Sequence, residues 1–338
     1  MTDDIRKEVM SQAAGASSLQ IAFIGVSSGL LAKLDELGKA TPEELARAAK
    51  LDHGYVERWC DAAYAFDYLD DESGSFVLTE RGRRFCADTE GTLMPFAVQS
   101  ALVAHMADRV VGLLETGERP GEQVLAEKES ILPWFGPMLE AIFGPLFDEQ
   151  IAPALPVYAE VDRKRGLVVD LGSGNGWYLR HLAKRYPNLR GIGIDGFSAN
   201  VEQAKKLAER DGVADRLTFY AGDINHFSVE EPAQVIAMNR ALHHVWATRD
   251  RVFRILRDHL APGGSAVIWE PRWPDSRAEL RDPSRRGMAL QNLNEHVQGN
   301  HFLRPDEIAA EFVKLGMRAE PYTFAHGNEM VVVGTRPE

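Results

Sequence analysis

The run Gly166-Leu-Val-Val-Asp-Leu-Gly-Ser-Gly-Asn-Gly176 constrains this chain more than any other segment. Leu167 to Leu171 is short, apolar and β-branched, the pattern of a parallel strand covered on both faces. Gly172, Gly174 and Gly176 follow at once, where the backbone can bend sharply and come close to a bound group. Trp177 to Tyr186 then carries helical periodicity, so its first N–H groups face whatever sits on the loop. A strand, glycine turn and helix in this order belong to a larger parallel sheet, and the sequence supplies the rest. Gly191 to Asp195 and Leu217 to Asp223 read as strands ending in acids. Ala233 to Asn239 and Pro262 to Glu270 read as a fourth and a fifth strand. Arg304 to Gly316 is a capped helix, and the strands 319–325 and 329–334 flank His326-Gly-Asn328 as a hairpin that closes the sheet.

This series resembles the S-adenosylmethionine-dependent methyltransferases of the Rossmann-like α/β class, with a seven-stranded sheet. The matching residues are Asp170-Leu-Gly-Ser-Gly-Asn-Gly176, Asp195, Gly222-Asp-Ile224, Asn239 and Leu260-Ala-Pro-Gly-Gly264. A nicotinamide dehydrogenase is the rival for any glycine loop. The form of this loop, the Gly-Asp after the third strand and the Leu-x-Pro-Gly-Gly before the fifth favour the methyltransferase. The resemblance implies S-adenosylmethionine as cofactor. It implies a site built on Asp170, Gly172, Ser173, Gly174, Asn175, Gly176, Asp195, Gly196, Phe197, Gly222, Asp223, Ile224 and Asn239. Asp195 lies 19 residues beyond Gly176, a spacing that suits a carboxylate accepting from the ribose hydroxyls. Asp223 would accept from the adenine amine, Asp170 would order the glycine loop, and Asn239 would contact the amino-acid end of the cofactor.

At 338 residues the chain has room for two domains with their own cores. A net charge of −12 opposes nucleic acid or an anionic membrane as partner. Two cysteines, Cys60 and Cys86, cannot form a disulfide framework or a thiolate metal cluster. The N-terminus carries acids where a signal peptide has bases, and no apolar stretch reads as a membrane span, so a cytoplasmic location is expected.

Residues 1–90 have a different texture. Ile5 to Leu37 reads as helical. Thr41-Pro-Glu-Glu44 is a capping box that opens a short helix. A third helix runs from Tyr55 to Tyr68, followed by a turn at Asp70 to Ser75 and a strand from Phe76. The order resembles a winged helix. These residues hold ten Lys or Arg against seventeen Asp or Glu, the wrong balance for neutralising phosphates. Small-molecule O-methyltransferases carry such a domain for dimerisation, so the resemblance implies a homodimer. Residues 91–160 read as a helical connector. Its aromatic segment Ile131 to Phe147 either walls a substrate pocket through Trp134, Phe135 and Met138 or packs between domains. Residues 161–338 are expected to be the cofactor-binding domain.

Methyl transfer is an in-line displacement, in which the protein aligns acceptor and methyl and, for a protonated acceptor, removes a proton. His243 in Met238-Asn-Arg-Ala-Leu-His-His-Val-Trp246 follows the fourth strand, at the sheet edge where ligands bind. The segment resembles the Leu-His-Asp-Trp of plant-type O-methyltransferases, whose histidine is the general base. Here His244 replaces the acid and Trp246 is displaced by one. An imidazole titrates near neutrality, which suits a phenol or thiol acceptor. Alternatively the histidine only shapes the pocket. Adjacent residues on a turn are expected to face different ways, which ranks His244 below His243. After the fifth strand comes a polar insertion, where such enzymes place a substrate cover. Within it Arg272, Asn292, His296 and His301, together with Trp246, are the candidate substrate contacts, against the alternative of a solvated face. His243 or His244 could instead join His296 or His301 around a metal in a C-methylating enzyme. The spacing is no recognised ligand pattern, and no metal is expected. The expected activity is methyl transfer from S-adenosylmethionine to a small molecule, at oxygen or sulfur before carbon. The non-enzyme alternative is a winged-helix regulator sensing a nucleotide-like ligand.

Overall fold

In the N-terminal part the long helical stretch breaks where glycine permits it. Helix Thr2–Ser27 ends before Gly29, which adopts φ 75°, and helix Leu30–Leu37 starts in a new direction. The break turns Leu30, Leu31 and Leu34 into a core. The capping box forms as read from the sequence. Thr41 accepts from the Glu44 amide, and the Glu44 carboxylate accepts from the Thr41 amide at 2.9 Å. Helices Pro42–Ala49 and His53–Ala65 follow, then an antiparallel hairpin of β1 (Leu69–Asp71) and β2 (Phe76–Leu78), then helix Met94–Leu113. Met138 lies in this part's core, and Trp134 and Phe135 pack against it, partly buried.

The computed structural model describes residues 2–128 and 130–338; Met1, and Glu129 at the end of the polar break, lie outside the described residues. Two compact units divide the chain. One runs to Val111 and includes Leu125–Ala141; the other holds Gly112–Val124 and Ile142–Glu338. In the first unit residues 3–17 of the opening helix are all exposed, with Ile5, Val9 and Met10 among them. By length and composition alone, Asp3–Ser27 is apolar enough to cross a membrane. Val9 to Ala32 carries no charge, but its many small and hydroxyl-bearing residues dilute the apolar character of the segment.

The second unit contains one seven-stranded sheet. Its strands are β3 (Leu167–Leu171), β4 (Arg190–Asp195), β5 (Leu217–Ala221), β6 (Ala233–Asn239), β7 (Leu260–Pro271), β8 (Arg318–Phe324) and β9 (Glu329–Thr335). Their order is β5-β4-β3-β6-β7-β9-β8. The first five are parallel, while β9 runs antiparallel to both β7 and β8. From β3 the chain winds outward to β5 and then returns to β6 on the other side. That reversal opens a crevice at the carboxyl ends of β3 and β6. Side chains alternate between two cores: Val168 joins Leu179 and Phe219, whereas Val169 and Leu171 join Phe253 and Phe312. The turn after β3 requires glycine. Gly172 and Gly176 have φ of 81° and 73°, and a Cβ on Gly176 would lie 2.6 Å from the Phe219 ring.

Asp170 is buried within β3, and burial pushes its carboxyl up to about 7 despite the amide donated by Asn239 at 2.9 Å. The folded chain therefore keeps a proton that the unfolded chain gives up near pH 4. This contribution to stability is complete below pH 4, falls as the pH rises to about 7, and is flat above. Chemical denaturation of the parent and of Asp170→Asn at several pH values should give a stability difference that changes across that window. A difference independent of pH would contradict the buried, protonated carboxyl.

Candidate functional site

Polar groups gather where the parallel strands end. Asp170 and Asn239 face each other across β3 and β6, Asp195 closes β4, and Glu270 lies near the end of β7. The loop after β3 is tied to β4: the Gly172 and Ser173 amides donate to the Ile194 carbonyl at 2.8 and 2.9 Å. Asp195 Oδ2 accepts from Gly174 N at 2.9 Å, and its Oδ1 accepts from Phe197 N and Asn200 Nδ2, both at 3.0 Å. Asp195 and the Ile194 carbonyl thus order the glycine loop, a role the sequence reading gave to Asp170. Asn239, expected at the end of the cofactor, has its amide nitrogen committed to Asp170.

The crevice fits a polar ligand. Asp195 Oδ2 keeps a lone pair beyond its bond to Gly174. Ser173 Oγ and Asn239 Oδ1 are buried without a hydrogen-bond partner. A Cβ on Gly174 or Gly196 would meet nothing within 4 Å, so backbone there is open to close approach. Asn175 is buried in the same loop and accepts from Trp177 N at 3.3 Å. Ile224 reaches within 3.7 Å of a Cβ on Gly172, and Phe197 is exposed beside the loop. Asp223 caps a short turn after Gly222, accepting from Asn225 N at 2.8 Å. That bond, with help from His226, holds its carboxyl below the usual range.

Beyond β6 the chain turns tightly through Arg240, whose φ is 56°. His243 follows, buried, with Nδ1 2.6 Å from Glu270 Oε2. Glu270 Oε1 accepts from the amides of Leu242 at 2.8 Å and His243 at 3.3 Å. Burial alone would raise the Glu270 carboxyl; the facing imidazole and Arg240 hold it below the ordinary value. His244 does not face away. A non-helical Val245 (φ −114°, ψ 17°) shapes the turn, and the two imidazoles lie 4.1 Å apart. Burial lowers the His244 pKa and the carboxylates of Glu122, Glu295 and Glu270 raise it, with a net rise.

The insertion after β7 contributes residues other than those expected. His296 and His301 are exposed. Asn292 Oδ1 accepts from Phe302 N at 2.8 Å, Arg272 pairs with Asp275 at 2.6 Å, and Trp246 packs on Phe253 and under Arg249. Glu295 and Asn300 instead reach the histidines, with Glu122 from a distant segment. Glu270 is the acid that ends the fifth strand as read from the sequence, the same place that Asp195 holds on the second. Glu122 lies in a polar break with no local pattern to mark it.

Residues 168–264 match the family model of a methyltransferase domain. Trans-aconitate 2-methyltransferase of Streptomyces coelicolor is 28% identical over 47% of this chain and 54% of its own length. The chain spans about half the length of the curated relatives it matches. Among solved structures, an O-methyltransferase family protein from Burkholderia thailandensis superposes with a TM-score of 0.72 at 19% identity, over 100% of this chain and 98% of that one. Human N-acetylserotonin methyltransferase, solved with S-adenosylmethionine, does so with 0.73 at 16% identity, over 99% and 98%. The chain thus has the Rossmann-like fold of the S-adenosylmethionine-dependent methyltransferases, and residues 168–264 are similar to a methyltransferase domain.

Proposed function

We propose that this chain is an S-adenosylmethionine-dependent methyltransferase that acts on a small molecule, at oxygen first. The observation that carries this reading is the His243–Glu270 pair, 2.6 Å apart, on the sheet edge that also holds the glycine turn. Solved neighbours that are O-methyltransferases, one acting on mitomycin and one from neocarzinostatin biosynthesis, support the acceptor class. The winged-helix regulator gains no support from these relatives, and residues 1–90 are acidic.

When bound, the cofactor supplies a methyl group on positively charged sulfur, already activated as an electrophile. Asp195 would accept from the ribose hydroxyls, Ile224 and Asp223 would line the adenine, and Phe197 would be a further cofactor contact. The loop from Gly172 to Gly176 lets the backbone approach the rest. His243 takes the acceptor's proton at Nε2. Glu270 fixes the tautomer by accepting from Nδ1 and stabilises the imidazolium that forms. Residues 1–90 serve dimerisation and residues 91–160 connect them to the cofactor-binding domain, 161–338. Supporting this are the exposed Ile5, Val9 and Met10, and Phe96 and Val111 on helix Met94–Leu113, apolar surface of the kind that marks an interface.

Calorimetry should give micromolar affinity for S-adenosylmethionine, and Asp195→Ala should weaken it by about 1.5–3 kcal/mol, the scale of hydrogen bonds to a charged group. Unchanged affinity in that variant, or a preference for NAD, would defeat the assignment. His243→Gln should lower turnover about 100- to 10,000-fold with cofactor affinity little changed; full activity in this variant would mean the base lies elsewhere. Light scattering should give the mass of a dimer at working concentration, and a monomer mass would contradict the role given to the first unit.

A further inference from the structure

His244 Nδ1 has incompatible neighbours. Glu122 Oε1, 3.0 Å away, requires a proton on it, while Asn300 Nδ2, 2.9 Å away, requires a lone pair. The same Asn300 nitrogen lies 3.5 Å from Glu295 Oε2, and that oxygen is 3.7 Å from His243 Nε2. Gln298 donates to Glu295 Oε2 at 3.1 Å, yet its own Oε1 is buried with no partner. Three carboxylates, Glu122, Glu270 and Glu295, therefore crowd two imidazoles. Glu270 and His243 are buried and Glu295 is partly so, which leaves this concentration of negative charge poorly hydrated on that side, a condition that a cation relieves.

We propose that His243, His244 and Glu295 form a binding site for a divalent transition-metal ion. One ligand atom from each lies within 4.8 Å of the other two. Ligands about 2.1 Å from one ion sit roughly 3–3.5 Å apart, so closing the site takes side-chain shifts of about an ångström. The support behind the ligands is present. Glu270 accepts from His243 Nδ1, which leaves the lone pair on Nε2, the arrangement found behind metal-bound histidines. Glu122 brings a further oxygen to His244. Two imidazoles with carboxylates favour zinc, iron(II), cobalt or nickel over magnesium or calcium. The ion and an acceptor's proton would compete for His243 Nε2. A loaded site would instead hold an acceptor oxygen directly, as the anion. This site goes beyond the methyl-transfer reading, because an ion can bind there with no cofactor present.

Cobalt(II) titrated into the untagged full chain without S-adenosylmethionine, followed by visible absorption and equilibrium dialysis, tests the site. The expected result is about one equivalent bound per chain. Binding should weaken at least about tenfold in His243→Gln, His244→Gln and Glu295→Gln, and should be unchanged in His296→Gln and His301→Gln. No stoichiometric uptake by the parent chain would overturn the proposal, and so would uptake unaffected by Glu295→Gln. Should His243→Gln fail to fold, with Glu270 left buried and unmatched, the half-buried Glu295 decides alone. Calorimetry with the cofactor on the same preparations separates the two readings. Cobalt uptake without cofactor binding would uphold the ion site and remove the methyl-transfer reading; cofactor binding without cobalt uptake would do the reverse.

Discussion

A carboxylate shut away from water at the end of a central strand must be met by donors before anything around it can settle, and Glu270 is such a group. Its two oxygens take two backbone amides and one imidazole from the turn after β6. Those bonds clamp the turn of one strand onto the end of its neighbour, which is why His243 has one orientation. Separating such a buried pair by removing one partner costs on the order of 3–5 kcal/mol, so the clamp resists local opening. The chemistry proposed for the histidine is inseparable from this structural demand.

The strain at Arg240 belongs to the same construction. A non-glycine residue at φ 56° needs outside support. Arg240 N donates to the Trp269 carbonyl at 2.7 Å, and its guanidinium meets both oxygens of Glu329 at 3.0 and 2.9 Å. Burial raises the Glu329 carboxyl above its ordinary value, although Arg240 and the Trp269 indole both oppose that rise. The turn that carries the histidines is therefore held by β7 and, beyond it, by β9.

Much of the second unit was legible because parallel strands announce themselves. Buried on both faces, they read as short apolar runs, and the acids at their ends mark the edge where polar groups are allowed. The glycines of the turn were legible for the same local reason. What stayed hidden depended on distance or on fine backbone geometry. Glu122 reaches His244 across 122 positions of numbering with no pattern to announce it. The two adjacent imidazoles lie 4.1 Å apart, a proximity set by side-chain rotamers that residue order does not reveal. In the insertion, helical phase decided the outcome: Glu295 points inward and His296 outward, a one-residue distinction that a helix of weak amphipathicity does not reveal. The hydrogen bond between Asn239 and Asp170 was equally hidden, because a sequence shows which polar residues lie at an edge, not which of them satisfy each other.

The sheet order β7-β9-β8 has a consequence for how the protein is made. β9 follows every other strand in the chain, yet it lies inside the sheet, between two earlier ones. A nascent chain that has emerged as far as β8 still has an open slot beside β7 and no Glu329 to receive Arg240. The support of the histidine-bearing turn by Glu329 therefore depends on the return strand of the hairpin having taken its place beside β7.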